Sequence, residues 1–350
     1  MDQNEEGLNS LLANVPSAEI PHHKSSVYSL QFRVDRQSGK SFIQNSSMRN
    51  VNSACLLGVH FFTGTTAAAV ERVVSHWDDF KCRPLVAPEQ TPEGTLSGQL
   101  TQHEDTPNGG NRIPLPSRLT IAFPSILVVA PSAPGLAVDL VNSSAYRDAL
   151  TTAEIAITDS GFMVLLWRAY TGVKLPRLSG LKFMIAVLAR PELKKAGAVF
   201  WVMPSAAEDQ RNRSWLIANG FPVTESDIYI APQYPSGFIH DAELLSRIDA
   251  RKPRVVMLAI GGGVQERVGL MLRAHLNAPT SILCLGAAIA FLSGGQANIP
   301  PWADRMVLGW LMRLLHNPRQ FWRRLWNALP LIGLLWRHRD RLPPLASDRT

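Results

Sequence analysis

From about residue 119 to residue 288, short runs of consecutive apolar residues alternate with longer stretches in which apolar residues recur every three or four positions. The short runs predict strands at Ile155–Thr158, Ala198–Met203, Asp227–Ile230, Arg254–Ile260 and Ser281–Ala288. The longer stretches predict helices at Tyr146–Ala153, Gly161–Tyr170, Leu181–Leu188, Asp209–Asn219, Asp241–Asp249 and Gln265–His275. Leu119–Val129 reads as a strand running into a helix start. Further upstream, Ala54–Phe61 is one strand-like run. A Thr-rich turn and a helix with Ala68, Val70, Val73 and Val74 on its apolar side follow it. Strands separated by single helices predict an α/β fold, a mostly parallel Rossmann-like sheet with helices on both faces. Such sheets bind ligands outside the C-terminal ends of their strands, so residues just after strands are the first candidates for chemistry.

The flanks break this rhythm. Residues 1–50 are rich in Ser, Asn, Gln and charge, and predict a disordered tail. Residues 82–117 carry many Pro, Gly, Thr and Gln residues and predict a mobile insertion within an α/β domain spanning 51–295. Residues 296–350 predict a basic amphipathic helical appendage.

Charge decides what that appendage is for. The formal net charge is +7, which calls for an anionic partner. Eight arginines lie between Arg305 and Arg341 against the single acid Asp340, interleaved with Trp310, Trp322, Trp326, Trp336 and aliphatic residues. Trp and Leu among arginines fit a membrane interface, not a nucleic-acid groove. No apolar run approaches the ~18 residues of a spanning helix, and the polar, acidic N-terminus does not read as a signal peptide. The expected place is the cytoplasm, peripheral on the inner face of the membrane. The three cysteines have no paired ligand spacing, and Cys55 and Cys284 read as reduced, buried thiols. There is no Asp-x-Asp, Cys-x-x-Cys or His-x-x-x-His, so neither metal nor cofactor is expected.

Three strand ends carry candidate chemistry. Asp159 follows the Ile155–Thr158 strand and is placed to act as a general base; alternatively it caps the helix that begins there. Gly261, Gly262 and Gly263 follow the next buried strand of interest and open a helix, which makes an anion site of backbone N–H groups. Glu266 holds the place of the third glycine of a dinucleotide fingerprint, so NAD is disfavoured. Gln265 and Glu266 serve either as capping support or as hydrogen-bonding partners of a base or sugar. Arg313, inside the apolar run Leu308–Leu315, points either to the active site and lipid phosphate or to solvent.

In this order, the segments resemble the WecG/TagA/CpsF family of bacterial glycosyltransferases (glycosyltransferase family 26). The similarity runs through Leu57-Gly58-Val59, Asp159-Ser160, Gly180-Leu181-Lys182-Phe183 and Gly261-Gly262-Gly263-Val264-Gln265-Glu266. It ends with Gly294 to Pro300, Val307 to Leu314 and Asn317-Pro318-Arg319. The resemblance implies inverting, metal-independent transfer of a sugar from a UDP-sugar to an undecaprenyl-diphosphate-linked acceptor, in exopolysaccharide or cell-envelope polysaccharide synthesis. It implies Asp159 as the base, Gly261 to Gly263 with Gln265 and Glu266 as the nucleotide-sugar site, and Arg313, Arg319, Arg323 and Arg324 as the groups that meet lipid diphosphate and membrane. A homo-oligomer is compatible with the sequence and not specified by it. The sequence departs from the family pattern at several places. Ile121-Ala122-Phe123-Pro124 stands for Thr-x-Asn-Pro, Lys182 for Asp, Gly263-Val264 for Pro-Lys, Ala290 for Asp, Asn298 for Arg and Gly309 for Glu. These losses keep open a second reading, a non-catalytic relative that binds nucleotide-sugar or lipid diphosphate and partners another transferase.

Overall fold

The computed structural model describes residues 53–79, 125–286, 288–295 and 318–349. The tail, the insertion, Ile121–Pro124, Asn298, Gly309 and Arg313 therefore lie outside the described residues, as does the side chain of Arg319.

Eight strands form one sheet: β1 Ser53–Leu56, β2 Val59–Phe62, β3 Ile126–Val129, β4 Ile155–Ile157, β5 Val199–Met203, β6 Ile228–Ile230, β7 Val255–Leu258 and β8 Ser281–Cys284. Their order is β1-β2-β4-β3-β8-β7-β5-β6. Every neighbouring pair is parallel except β1 and β2. The helices are α1 Thr66–Asp79, α2 Ser144–Thr152, α3 Gly161–Thr171, α4 Gly180–Leu188, α5 Ala206–Ala218, α6 Ala242–Arg251, α7 Val264–His275, α8 Ala288–Leu292, α9 Pro318–Ala328 and α10 Pro330–His338. A π-helical turn, Gly135–Asp139, follows β3.

The central strands read as continuous apolar runs because both their faces are covered. Alternate residues go to opposite cores. Leu127, Val129, Phe200, Val202, Val256 and Leu258 face one side with α2, α3, α6 and α7. Ile126, Val128, Trp201, Met203, Val255 and Met257 face the other with α1, α4, α5 and α8. The predicted α/β sheet with helices on both faces is thus the fold observed, and the helix and strand positions differ from expectation by a few residues.

One difference is topological. Ala54–Phe61 is not a single strand but the hairpin β1–β2, turned at Leu57 and Gly58. Their φ values of 49° and 76° are the positive pair that a tight I′ hairpin turn requires. The chain's far end closes on this turn: Leu57 N–H donates to the Arg339 carbonyl at 2.7 Å and Gly58 N–H to the Asp340 carbonyl at 2.9 Å. Before that closure, α9 and α10 pack across the π-helical turn, and α10 also packs on α3. Ala328, Leu331 and Leu335 are buried in the first core.

Candidate active site

All the predicted sheet-end residues that are described lie at the C-terminal edge of the parallel strands. Asp159 follows β4, and the structure separates the two roles its sequence allowed. The N-cap of α3 is Ser160, whose hydroxyl accepts from Met163 N–H at 3.3 Å. Asp159 instead reaches a different helix: its Oδ1 accepts the Gly180 N–H at 2.9 Å, at the start of α4. Arg177 holds the same residue from the backbone side, Nε donating to the Asp159 carbonyl at 3.0 Å, with its guanidinium 4.0 Å from Oδ1. The Asp159 side chain remains 42% exposed, and among the described residues Oδ2 accepts no hydrogen bond. A carboxylate fixed through one oxygen and open at the other has the geometry of a base.

The segment around it is pinned at its neck. Thr158, fully buried, donates to the Pro176 carbonyl at 2.6 Å and accepts from Leu178 N–H at 3.0 Å. So α3 and the loop behind it leave the sheet edge at Asp159 and return to it at Leu178, after which α4 starts on the opposite face.

Gly261 and Gly262 are exposed after β7, and a side chain at Gly261 would meet open space. Gly263 is constrained differently. Its φ is +87°, and a Cβ there would lie 2.8 Å from the Asp139 carboxylate, so glycine is required. Gln265 and Glu266 are buried, and the bonds of their side chains run within the fold. Glu266 Oε2 accepts the Gly263 N–H at 2.7 Å, and Oε1 accepts from Gln265 Nε2 at 3.0 Å. Gln265 Oε1 accepts the Gly286 N–H at 2.7 Å, tying α7 to the end of β8. This is the capping arrangement, extended into a brace between two strand ends. Burial pushes the Glu266 carboxyl up to about 7, against the pull of these hydrogen bonds and with the Asp139 charge adding to the rise. Burial likewise raises Asp139, while Arg267 draws it back.

Several residues here carried no local signal. Asp139 sits on the π-helical turn, and its significance lies in facing Gly263, 124 positions further along the sequence. Ser132 lies in the loop that leaves β3, 3.8 Å from where a Gly262 side chain would begin. Arg267 links the glycine loop to the loop after β6. Its Nε donates to the Gly263 carbonyl at 3.1 Å, and Nη1 donates to the Pro235 and Gly237 carbonyls at 2.7 Å each. Beside Gly237 stands Phe238, 69% exposed. Of the predicted arginines, Arg323 and Arg324 lie exposed on α9, and Arg319 is on the same helix. Among the described residues no group of three or more His, Cys, Asp or Glu is arranged to hold a metal ion.

A family model, described as the glycosyl transferase WecG/TagA/CpsF family, matches residues 118–343. The chain belongs to this family. It is a glycosyltransferase by that membership. Two curated relatives carry the name N-acetylglucosaminyldiphosphoundecaprenol N-acetyl-beta-D-mannosaminyltransferase. The Bacillus spizizenii protein is 23% identical over 59% of this chain and 77% of its own length. The Bacillus subtilis protein is 26% identical over 57% of this chain and 74% of its own. Asp159 and Gly180, which belong to separate segments of the resemblance read from the sequence, meet here in one hydrogen bond.

Proposed function

We propose that this glycosyltransferase moves a sugar from a UDP-sugar to a polyprenyl-diphosphate-linked acceptor, with inversion and without a metal ion, in cell-envelope or exopolysaccharide synthesis. The observation that carries the reading is Asp159, held by the α4 backbone through Oδ1 and open at Oδ2 on the sheet's ligand-binding edge. Oδ2 takes the proton of the acceptor hydroxyl as that oxygen attacks the anomeric carbon, and UDP leaves from the opposite side. Inversion follows from that single displacement.

The donor's diphosphate suits the exposed backbone at Gly261 and Gly262, which opens α7, a helix long enough to offer a positive N-terminal end. Gln265 and Glu266 hold that loop in shape, so their contribution to nucleotide-sugar binding runs through its backbone. Phe238 offers an exposed ring for the base, since stacking on aromatic rings is worth about 1–3 kcal/mol per base. Among the described residues no helix is long and apolar enough to cross a membrane. We assign residues 296–350 to peripheral attachment on the cytoplasmic face. Trp322, Trp326 and Trp336 are all exposed on α9 and α10, with Arg323, Arg324 and Arg337 among them.

The test is UDP release from a panel of UDP-sugars. The relatives' names make N-acetylglucosaminyl-diphosphoundecaprenol the first acceptor and an N-acetylmannosaminyl donor the first to try. Asp159→Asn keeps the Oδ1 acceptor for Gly180 and removes the base, so it should retain Tm and lose roughly 10²–10⁴ in kcat. Nucleotide binding without turnover for any donor would overturn the enzyme reading and leave a binding relative.

A further inference from the structure

The α3 excursion presents a surface that the transfer reaction does not use. Its solvent side carries Leu165, Tyr170 and Val173, all exposed, with Val173 at 58%. A soluble helix facing water ordinarily puts charge in such positions. The neighbouring element has the same character. On α9 and α10 one stripe, Ala328, Leu331 and Leu335, is buried in the core, while Trp322, Trp326 and Trp336 stand out in solvent. The two surfaces meet, since the Tyr170 hydroxyl donates to the Ile332 carbonyl at 3.3 Å in the first turn of α10.

Charge identifies the occupant. Residues 160–191 contain no Asp or Glu, and neither do residues 318–338. Arg168 and Lys174, both exposed, flank the apolar positions of α3 as Arg323 and Arg337 flank the tryptophans. Two elements about 160 positions apart in sequence are therefore juxtaposed, each apolar at its exposed centre and each purely basic. A protein partner matched to this surface would have to be acidic throughout and apolar between its acids. An anionic bilayer has that character everywhere, with apolar chains beneath negative headgroups.

We propose that α3 and the loop to Lys174 form a second membrane contact, continuous with α10, that seats the protein on an anionic lipid surface. The inference rests on the membrane attachment proposed above and adds a site to it. Its consequence is positional. The excursion's neck is the Thr158–Leu178 and Asp159–Arg177 junction, so a bilayer holding Leu165 and Val173 holds the base at a fixed height above the headgroups. A lipid-linked acceptor, whose diphosphate stays at the headgroup level, then presents its sugar to Asp159 without leaving the membrane.

The test is co-sedimentation of the full chain with vesicles of phosphatidylcholine containing phosphatidylglycerol. The proteins compared are wild type, Leu165→Glu/Val173→Glu, and Trp326→Ala/Trp336→Ala. Both substituted pairs are exposed, and an unchanged Tm confirms that each variant folds. The proposal expects the α3 variant to bind about tenfold more weakly or worse, as the tryptophan variant does. Wild-type binding by the α3 variant, with loss in the tryptophan variant, overturns the α3 contact and leaves the C-terminal attachment standing. Failure of the wild type to bind any vesicle overturns both.

Discussion

Glu266 has its carboxyl surrounded by the fold and pushed up to about 7 from its ordinary 4.5. The folded state therefore keeps a proton that the unfolded chain releases, and the stability from this group is greatest below about pH 4.5. It is lost as pH rises to 7, an effect of about 3 kcal/mol at most. We expect Tm to carry a falling component between pH 5 and 7 in the wild type and to lack it in Glu266→Gln. Equal slopes in the two proteins would exclude Glu266 as the source. Neither this burial nor the seat of Asp159 was legible locally. The sequence put Asp159 beside a helix start, and a capping aspartate is commonplace there; Ser160, one residue on, is the cap. The partner that fixes Asp159 is a peptide N–H, which every residue except proline supplies. Side chains on α4 such as Lys182 can therefore differ from the family pattern while the carboxylate keeps its place.

Among elements, the β1–β2 hairpin shows why a strong local pattern misleads. Leu57 occupies a positive φ that costs a branched residue roughly 1–2 kcal/mol, yet it is buried, a gain of about 1.5–3 kcal/mol. Burial outweighs the backbone, so the turn carries leucine where a sequence reader looks for Asn or Asp. The long helices and central strands were legible because their periodicity and their burial agree. The hairpin was not, because here the two conflict. Gly58, half-buried beside it, is the counterpart of this argument. A Cβ there would come within 2.6 Å of Leu342 Cβ at φ +76°. Gly58→Ala should therefore cost about 1–3 kcal/mol and loosen the chain's end. Limited proteolysis should cut near residues 339–345 in the variant sooner than in the wild type, and indistinguishable digestion would refute the contact's importance.

For the whole molecule, the net charge of +7 goes with a surface, α3 with α9 and α10, that is basic and apolar together. Attachment to anionic vesicles should weaken as salt rises from about 0.1 M to 1 M, because the screening length shrinks from ~10 Å to ~3 Å. It should not vanish, since the tryptophans contribute apolar burial that salt does not screen. Complete release by 1 M salt would show that charge alone holds the protein. The composition made this surface legible in the tail of the sequence, but α3 reads as an ordinary apolar helix until its neighbour is seen.

The bonds from Leu57 and Gly58 to Arg339 and Asp340 have a consequence for how the protein is made. They join the first described strand pair to residues about 280 positions later. Until residues 331–340 leave the ribosome, the groove that receives Leu331 and Leu335 stands open, and the hairpin's turn lacks its partners. Folding of this face waits for that emergence. Meanwhile the nascent protein shows an apolar surface of the kind that chaperones hold, and a ribosome stalled before these residues emerge leaves that surface uncovered.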